Sequence, residues 1–216
     1  MFKARITAPE KTNPSYYSSQ NTFFRDGYGM PNCTAYAFGR WLELGLGKFP
    51  CLGNAEDWFE AGKKAKLCVS SVPRLGAIAC WKAGSVRNGK DGAGHVAVVE
   101  EILDNGDIVV SNSAWRSTEW YLKTLSAKKD YYFGKNYDFL GFIYPTKFFA
   151  EPKSIKTVKG SLHLRMGAGT SHQSLSVMRR NEQFFYDGVY QIVDGRKWLH
   201  GVYKGLGGWA SSKYLK

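Results

Sequence analysis

The pattern of apolar positions in the first part of the chain predicts one amphipathic helix. Its apolar side chains recur with near-helical spacing at Ala35, Phe38, Trp41 and Leu42. This spacing is typical of a helix that buries one face. The preceding run 26–31 contains two glycines and a proline, and Asn32 is a favoured N-cap residue, so we expect the helix to begin there. Cys33 therefore lies in the predicted first turn.

Three apolar strands are predicted next, as an antiparallel meander. They comprise residues 75–81, 95–102 and 107–113. The Gly-rich, charged stretch 82–94 predicts a loop, and the Asp-Asn-Gly run 104–106 predicts a tight turn. His95 then begins the second strand at the edge of a cleft. Asn112 lies near the end of the third strand, where antiparallel pairing brings it opposite His95.

The last part of the chain has a different pattern. A short polar segment at 150–154 follows the aromatic region 139–149, and short strand-like runs separated by glycine turns come after it. Their spacing predicts a small β barrel. A module of roughly 60 residues buries only about 60% of its unfolded-chain surface, so aromatic side chains are needed to fill it. We therefore predict a domain at 1–148, a linker at 149–155 and a second domain at 156–216.

Cys33 and His95 are candidates for a nucleophile and its general base. The thiolate is the attacking form of cysteine, and a helix N-terminus lowers the thiol pKa from about 8.5. The free backbone N–H groups of that turn also suit the oxyanion formed when an acyl carbon is attacked. Taken singly, Cys33 suits a small core residue and His95 a structural histidine. Their combination, with Asn112 as a third polar group that orients the imidazole, favours catalysis.

These segments resemble the CHAP domain, the cysteine, histidine-dependent amidohydrolase/peptidase, over about the first 145 residues. The resemblance rests on the runs around Cys33 and His95 and on the strand 107–115. It implies an α+β papain-like fold, with Cys33 as the nucleophile and His95 as the general base and acid.

The third catalytic position departs from the commoner pattern of this family. Many members carry a Glu and, two residues later, an Asn, where this chain has Asn112 and Ala114. The resemblance therefore leaves Asn112 as the orienting group. Asn32 replaces a Gln that is frequent in relatives, and it is a candidate for the oxyanion hole as well as for the N-cap.

Two strings of the C-terminal part, 162–171 and 208–215, resemble the bacterial SH3-like cell-wall-binding domain. The resemblance implies a small all-β barrel that holds the protein on peptidoglycan peptides or cross-bridges. The aromatic side chains that are candidates for ligand contact, and are equally suited to the core, are Tyr186, Tyr190, Trp198 and Tyr203.

The charge of the chain is consistent with an anionic partner. The formal net charge is +12; the first 150 residues carry 19 basic and 14 acidic side chains, and the last 66 carry 11 and 4. Long-range attraction to an anionic cell wall speeds encounter and is weakened by salt. The basic residues are scattered and form no basic helix, so nucleic acid is not the expected partner.

No metal or other cofactor is predicted. Calcium needs six to eight oxygen ligands, whereas Asp26 is the one acidic residue shortly before the nucleophile. Cys51, Cys68 and Cys80 lack the paired spacing of zinc ligands, so they are expected to be buried thiols.

The first residues lack the apolar stretch of a secretory signal, and no later segment has the roughly 18 apolar residues of a membrane span. We therefore expect a monomer made in a host cytoplasm that reaches the cell wall through a separate pore, as a bacteriophage endolysin does. A processed secreted bacterial protein is the alternative.

The function predicted from the sequence is hydrolysis of an amide bond in peptidoglycan, with lysis of Gram-positive bacteria. Both an N-acetylmuramoyl-L-alanine amidase and an endopeptidase of the stem or cross-bridge require the same attack on a carbonyl, so the residues leave the two open. The alternative function is an inactive wall-binding or structural protein, which Ala114 favours because a second orienting group is missing.

Overall fold

A computed structural model describes residues 2–83, 92–145, 152–204 and 206–216. These form two compact units, which we call the first unit (2–65 and 70–144) and the second unit (66–69 and 145–216). Most of the predicted loop 82–94, the start of the predicted linker 149–155 and the end of the predicted domain 1–148 lie outside the described residues.

Within the described residues, the first unit contains four α-helices. They are α1 (Pro14–Tyr17), α2 (Thr22–Arg25), α3 (Cys33–Glu43) and α4 (Trp58–Lys64). The predicted start of α3 is confirmed, because Asn32 has extended backbone angles and its side chain accepts a hydrogen bond from the Thr34 N–H. None of the helices in the described ranges is long and apolar enough to cross a bilayer.

A six-stranded sheet forms the other layer of the first unit. Its strands are β1 (Val69–Ser70), of which Ser70 belongs to this unit, β2 (Ile78–Ala83), β3 (His95–Ile102), β4 (Ile108–Asn112), β5 (Tyr121–Leu125) and β6 (Tyr137–Ile143). They are ordered β1-β6-β2-β3-β4-β5, and β2, β3 and β4 pair antiparallel in sequence order, which confirms the predicted meander. The β3–β4 pairing brings the start of β3 and the end of β4 to the same end of the sheet.

Helix α3 is more deeply buried than its pattern predicts. Every residue from Cys33 to Trp41 is buried. The reason is packing on more than one side, because α1 and α2 cover α3 through the ring pairs Tyr16–Tyr36 (5.6 Å) and Phe23–Phe38 (5.8 Å) while β3 also packs against it. The prediction of one buried face is therefore wrong, and the helix has little freedom to shift.

The second unit is built from six antiparallel strands. They are β7 (Ser154–Thr157), β8 (Leu162–Arg165), β9 (Ser174–Met178), β10 (Gln183–Val193), β11 (Arg196–Tyr203) and β12 (Leu206–Ser211). Their order is β7-β10-β11-β12-β8-β9. In the part of the chain that is described, β7 and β9 are the two ends of this order, so the sheet does not show the predicted closure into a barrel.

The aromatic residues singled out in the second unit occupy different environments. Tyr203 belongs to the apolar core and Trp198 is also buried, with exposed fractions of 5% and 4%. Both are placed by packing, which corrects their candidacy as ligand contacts. Tyr186 is partly buried against the core, whereas Tyr190 is 52% exposed.

Candidate active site

Cys33 is the first residue of α3, and its sulfur is buried. Burial raises the pKa of the thiol to about 11, while the backbone amides of Val96, Thr34 and Cys33 itself lower it by a smaller amount. The stabilising effect of the helix N-terminus is thus present but outweighed by desolvation. The expected net lowering of the Cys33 pKa is therefore wrong, and at rest the sulfur is a protonated thiol.

His95 begins β3 inside a box of aromatic rings. Its ring centroid lies 4.3 Å from that of Phe133, 6.0 Å from that of Trp81 and 6.2 Å from that of Tyr137. Burial lowers the pKa of His95 to about 4; the hydrogen bond that His95 donates to Asn112 raises this pKa, and the charge of Lys123 lowers it further. The imidazole is therefore neutral near pH 7 and can accept a proton.

Asn112, at the end of β4, fixes which nitrogen of His95 accepts that proton. The amide nitrogen of Asn112 donates to the Val110 carbonyl over 2.9 Å, so the amide oxygen faces His95, 3.0 Å from Nε2. An amide oxygen only accepts, so Nε2 carries the hydrogen and Nδ1 is the free base. Asn112 is thus positioned to orient the imidazole.

The backbone brings Cys33 and His95 to the same place. The amide of Val96, the residue after His95, is one of the groups that hydrogen-bond the Cys33 sulfur. His95 is preceded by Gly94, which has a φ of +72° and leaves no room for a Cβ beside the Trp81 carbonyl oxygen, 2.6 Å from the position of that atom. Only glycine fits at this short distance from the Trp81 backbone, and the close contact fixes the start of β3.

The amide oxygen and the amide nitrogen of the Asn32 side chain are both hydrogen-bonded within the protein. The amide oxygen caps α3, and the amide nitrogen donates to the Tyr28 carbonyl over 2.8 Å. One N–H of the amide group remains beyond that bond. The N-cap role of Asn32 is confirmed, and its role in an oxyanion hole stays a prediction.

A groove with a volume of about 730 Å³ gives access to Cys33. The side chains that form its walls include Asp26, Tyr28, Leu52, Trp115 and Tyr137. Tyr28 and Trp115 are exposed and their ring centroids lie 6.2 Å apart, so they present apolar faces at the rim. This volume lies within the range of pockets that hold drug-sized ligands, so the groove has room for a short segment of a polymer.

Glu100 connects the three elements that carry the candidate catalytic residues. It lies on β3 with His95, and its carboxylate accepts two hydrogen bonds from Arg40 of α3, at 2.9 and 2.8 Å. It also accepts one from Ser111 of β4, at 2.7 Å, next to Asn112. The side chains of Arg40 and Glu100 are only 4% and 2% exposed. This carboxylate therefore fixes α3, β3 and β4 relative to one another.

Sequence reasoning missed Arg40 and Glu100, although a signal was present. Glu100 interrupts an apolar strand at a position that the alternation assigns to the interior, and Arg40 lies among the apolar residues of α3. Charged residues at core positions require partners. No group of three or more His, Cys, Asp or Glu side chains suited to a metal ion is found among the residues described.

We predict that Glu100→Gln destabilises the first unit by about 1–3 kcal/mol, because the buried Arg40 guanidinium loses the charged acceptor of two hydrogen bonds and keeps Glu43, 2.7 Å from Nη1, as its counter-charge. Denaturant unfolding measures the change. Glu101→Gln is the matched control, since Glu101 is the exposed neighbour on the same strand. Equal stability of the two variants would show that the ion pair does not fix these elements.

The part of the chain that carries this site matches known proteins in sequence. Residues 24–114 match the family model of the CHAP domain. The chain is 42% identical over 84 residues to "Probable autolysin LDP" of Staphylococcus aureus (strain NCTC 8325 / PS 47), a match that covers 39% of this chain and 28% of that protein.

Two further matches involve proteins named as amidases. "N-acetylmuramoyl-L-alanine amidase sle1" of Staphylococcus haemolyticus (strain JCSC1435) is 31% identical over 128 residues, which are 58% of this chain and 36% of that protein. A crystal structure of N-acetylmuramoyl-L-alanine amidase from Staphylococcus aureus has 27% identity and a TM-score of 0.43, over 54% of this chain and 32% of that one.

The chain thus spans about a third of the length of the two curated relatives, 28% and 36%. The family match covers the helix of Cys33, the strand of His95 and the strand of Asn112. The match to the CHAP family model thus lies within the part of the chain in which the sequence resembles that domain.

Proposed function

We propose that this chain is a peptidoglycan hydrolase that cleaves an amide bond with Cys33 as the nucleophile. Two observations together carry the proposal. The Cys33 sulfur is hydrogen-bonded to the amide of Val96, the residue next to His95. His95 binds Asn112 through Nε2, which leaves Nδ1 as the nitrogen that can accept a proton. The CHAP match and the relatives named autolysin and N-acetylmuramoyl-L-alanine amidase support the same reaction class.

The mechanism starts from two neutral groups. Because burial holds Cys33 protonated and His95 uncharged, proton transfer to His95 accompanies attack of the sulfur on the carbonyl carbon. The remaining Asn32 N–H and the backbone N–H groups at the start of α3 are the candidate donors to the oxyanion. The imidazolium then protonates the leaving amine, and water, deprotonated by His95, hydrolyses the thioester and regenerates the thiol.

The inactive, wall-binding alternative rests on Ala114. Among the residues that the structure describes, Asn112 is the hydrogen-bond partner of Nε2 of His95, and its amide is oriented by the Val110 carbonyl. A second orienting side chain at position 114 is thus not needed to fix the tautomer. This geometry favours the enzyme over the alternative.

For the second unit we propose an SH3-like, wall-binding role. The support is a six-stranded antiparallel sheet with its own apolar core, an excess of basic side chains in this part of the chain, and the exposed ring of Tyr190 with the Lys197 ammonium 4.1 Å from its centroid. An anionic or peptide ligand suits a cation beside an aromatic face.

We further propose that the protein acts as a monomer. In the manner of a bacteriophage endolysin, it reaches the cell wall from a host cytoplasm through a separate pore.

We predict that Cys33→Ala lowers the rate of amide cleavage by at least about 1,000-fold, because the nucleophile is lost. The measurement is release of new amino termini from purified peptidoglycan, followed by mass spectrometry of the fragments. Cys51→Ala, which removes another buried thiol of the first unit, is the control and should keep the activity.

The same assay separates the remaining alternatives. Fragments ending at the muramyl lactyl carboxyl identify an amidase, and cleaved stems or cross-bridges identify an endopeptidase. Adsorption to walls without release of fragments by the unmodified protein would support the binding alternative instead.

The pH dependence follows from the lowered pKa of His95. The base works only when neutral, so kcat/KM is expected to stay high down to about pH 5 and to fall as the pH drops through about 4, well below the ordinary histidine value near 6.5. Lys123→Gln should move this fall to higher pH, because the positive charge of Lys123 lowers the His95 pKa. A fall centred near 6.5 in the unmodified protein would contradict the buried, neutral base.

Folding stability responds in the same pH range. Since the unfolded chain binds a proton at His95 below about 6.5 and the folded protein does not until about 4, stability decreases as the pH falls between these values. Circular dichroism at each pH therefore accompanies the kinetics, so that loss of activity through unfolding is recognised.

We predict that Tyr190→Ala reduces adsorption to purified cell walls by about threefold or more, since an exposed aromatic anchor contributes on the order of 1 kcal/mol. A pull-down of wall fragments at low and high salt measures it. Tyr132→Ala is the matched control, because Tyr132 is similarly exposed but belongs to the first unit. Equal adsorption of both variants would remove Tyr190 from the binding surface.

A further inference from the structure

A second cysteine and histidine pair, backed by a carboxylate, lies in the second unit. Cys68 belongs to the segment 66–69 of this unit, and its Sγ is 3.4 Å from Nε2 of His200 on β11. Nδ1 of His200 is 2.5 Å from Oδ2 of Asp187 on β10. Cys68 is 5% exposed, and the side chains of His200 and Asp187 are 0% and 1% exposed.

The carboxylate fixes the direction of the hydrogen bonds. Asp187 accepts from Nδ1–H of His200 through one oxygen, and its other oxygen accepts from the Val189 N–H over 3.0 Å. Nδ1 therefore carries a hydrogen, and Nε2 faces Cys68 as the acceptor for the thiol proton. The Met166 carbonyl, 3.7 Å from the sulfur, is a second and more distant acceptor. A carboxylate behind an imidazole stabilises the imidazolium and so favours this proton transfer.

Access to this pair is narrow. A Cβ placed on Gly207 would lie 3.9 Å from both the Cys68 Cβ and Nε2 of His200, which is ordinary contact distance. The glycine therefore leaves a space of about one methyl group over the pair, and Gly207 itself is partly exposed. So narrow an approach suits only the smallest reagents, such as a small hydroperoxide, and excludes a peptide or glycan chain.

We propose that Cys68 is a second reactive thiol, a modification site at which a small hydroperoxide oxidises the sulfur to a sulfenic acid. His200 accepts the thiol proton, and the sulfur attacks one peroxide oxygen. The S–O bond forms as the O–O bond breaks, and the departing hydroxide takes the proton from His200 and leaves as water. The sulfur is oxidised by two electrons and the peroxide is reduced. Asp187 is a positioning residue that acts through His200.

The other buried thiols of the chain provide internal controls. Burial raises the pKa of Cys51 to about 12 and raises that of Cys80 well above its ordinary value. No hydrogen bond to a histidine is found for either sulfur in the described ranges. Because sulfenic acid formation follows thiolate character, these two cysteines are expected to react slowly.

The experiment treats the full-length protein with hydrogen peroxide in the presence of a 1,3-dione that traps sulfenic acids, and mass spectrometry of peptides measures labelling at each cysteine. Cys68 is expected to be labelled at least tenfold faster than Cys51 and Cys80. His200→Gln should remove most of that difference. Labelling of Cys68 at the rate of Cys51 and Cys80 in the unmodified protein would overturn the proposal.

Two further variants keep the test decisive if His200→Gln fails to fold, which thermal unfolding reveals. Gly207→Ala leaves all three side chains in place and fills the space above them, so labelling of Cys68 should fall at least threefold. Unchanged labelling would contradict the access route and the site. Asp187→Asn should shift the pH profile of the Cys68 labelling rate to higher pH than in the unmodified protein, because the carboxylate that stabilises the imidazolium is lost. Identical profiles would assign Asp187 a structural role only and would overturn the triad.

Discussion

The ion pair of Arg40 and Glu100 is the interaction on which the arrangement of the first unit depends. Two charges removed from water are costly unless each is fully hydrogen-bonded. Glu100 meets this requirement with two bonds from Arg40, one from Ser111 and one from the Arg5 N–H at 2.8 Å. These partners lie on different elements, so any shift of α3 or β4 against β3 would break a buried bond. The same constraint holds Cys33, His95 and Asn112 in place.

Burial also decides the charge state of the reactive groups. The aromatic box around His95 and the cover over Cys33 remove both from water, and desolvation disfavours the imidazolium and the thiolate alike. The neutral amide of Asn112 orients the imidazole without the charge that would stabilise its protonated form. The resting pair is therefore thiol and imidazole, and in the proposed mechanism charge develops only as the sulfur attacks a bound carbonyl.

The pairs Cys33–His95 and Cys68–His200 differ in the side chain that is hydrogen-bonded to the imidazole and in the space next to the sulfur. Behind His95 is an amide, and Cys33 borders a groove of about 730 Å³. His200 is bonded to the carboxylate of Asp187, and Cys68 is 5% exposed and lies next to Gly207. In the two proposals, similar hydrogen-bond chemistry thus serves a polymer substrate at one sulfur and a small oxidant at the other.

The sequence by itself determined the features that depend on neighbours along the chain. Asn32 as the cap of α3, the turn at 104–106 and the strand beginning at His95 follow from local hydrogen bonding and alternation, and these placed the candidate catalytic residues. Only the tertiary structure decided the burial of all sides of α3, the interior positions of Trp198 and Tyr203, and the meeting of Cys68 with His200. These depend on contacts between distant segments, and packing and desolvation there are properties of the assembled interior rather than of any local pattern.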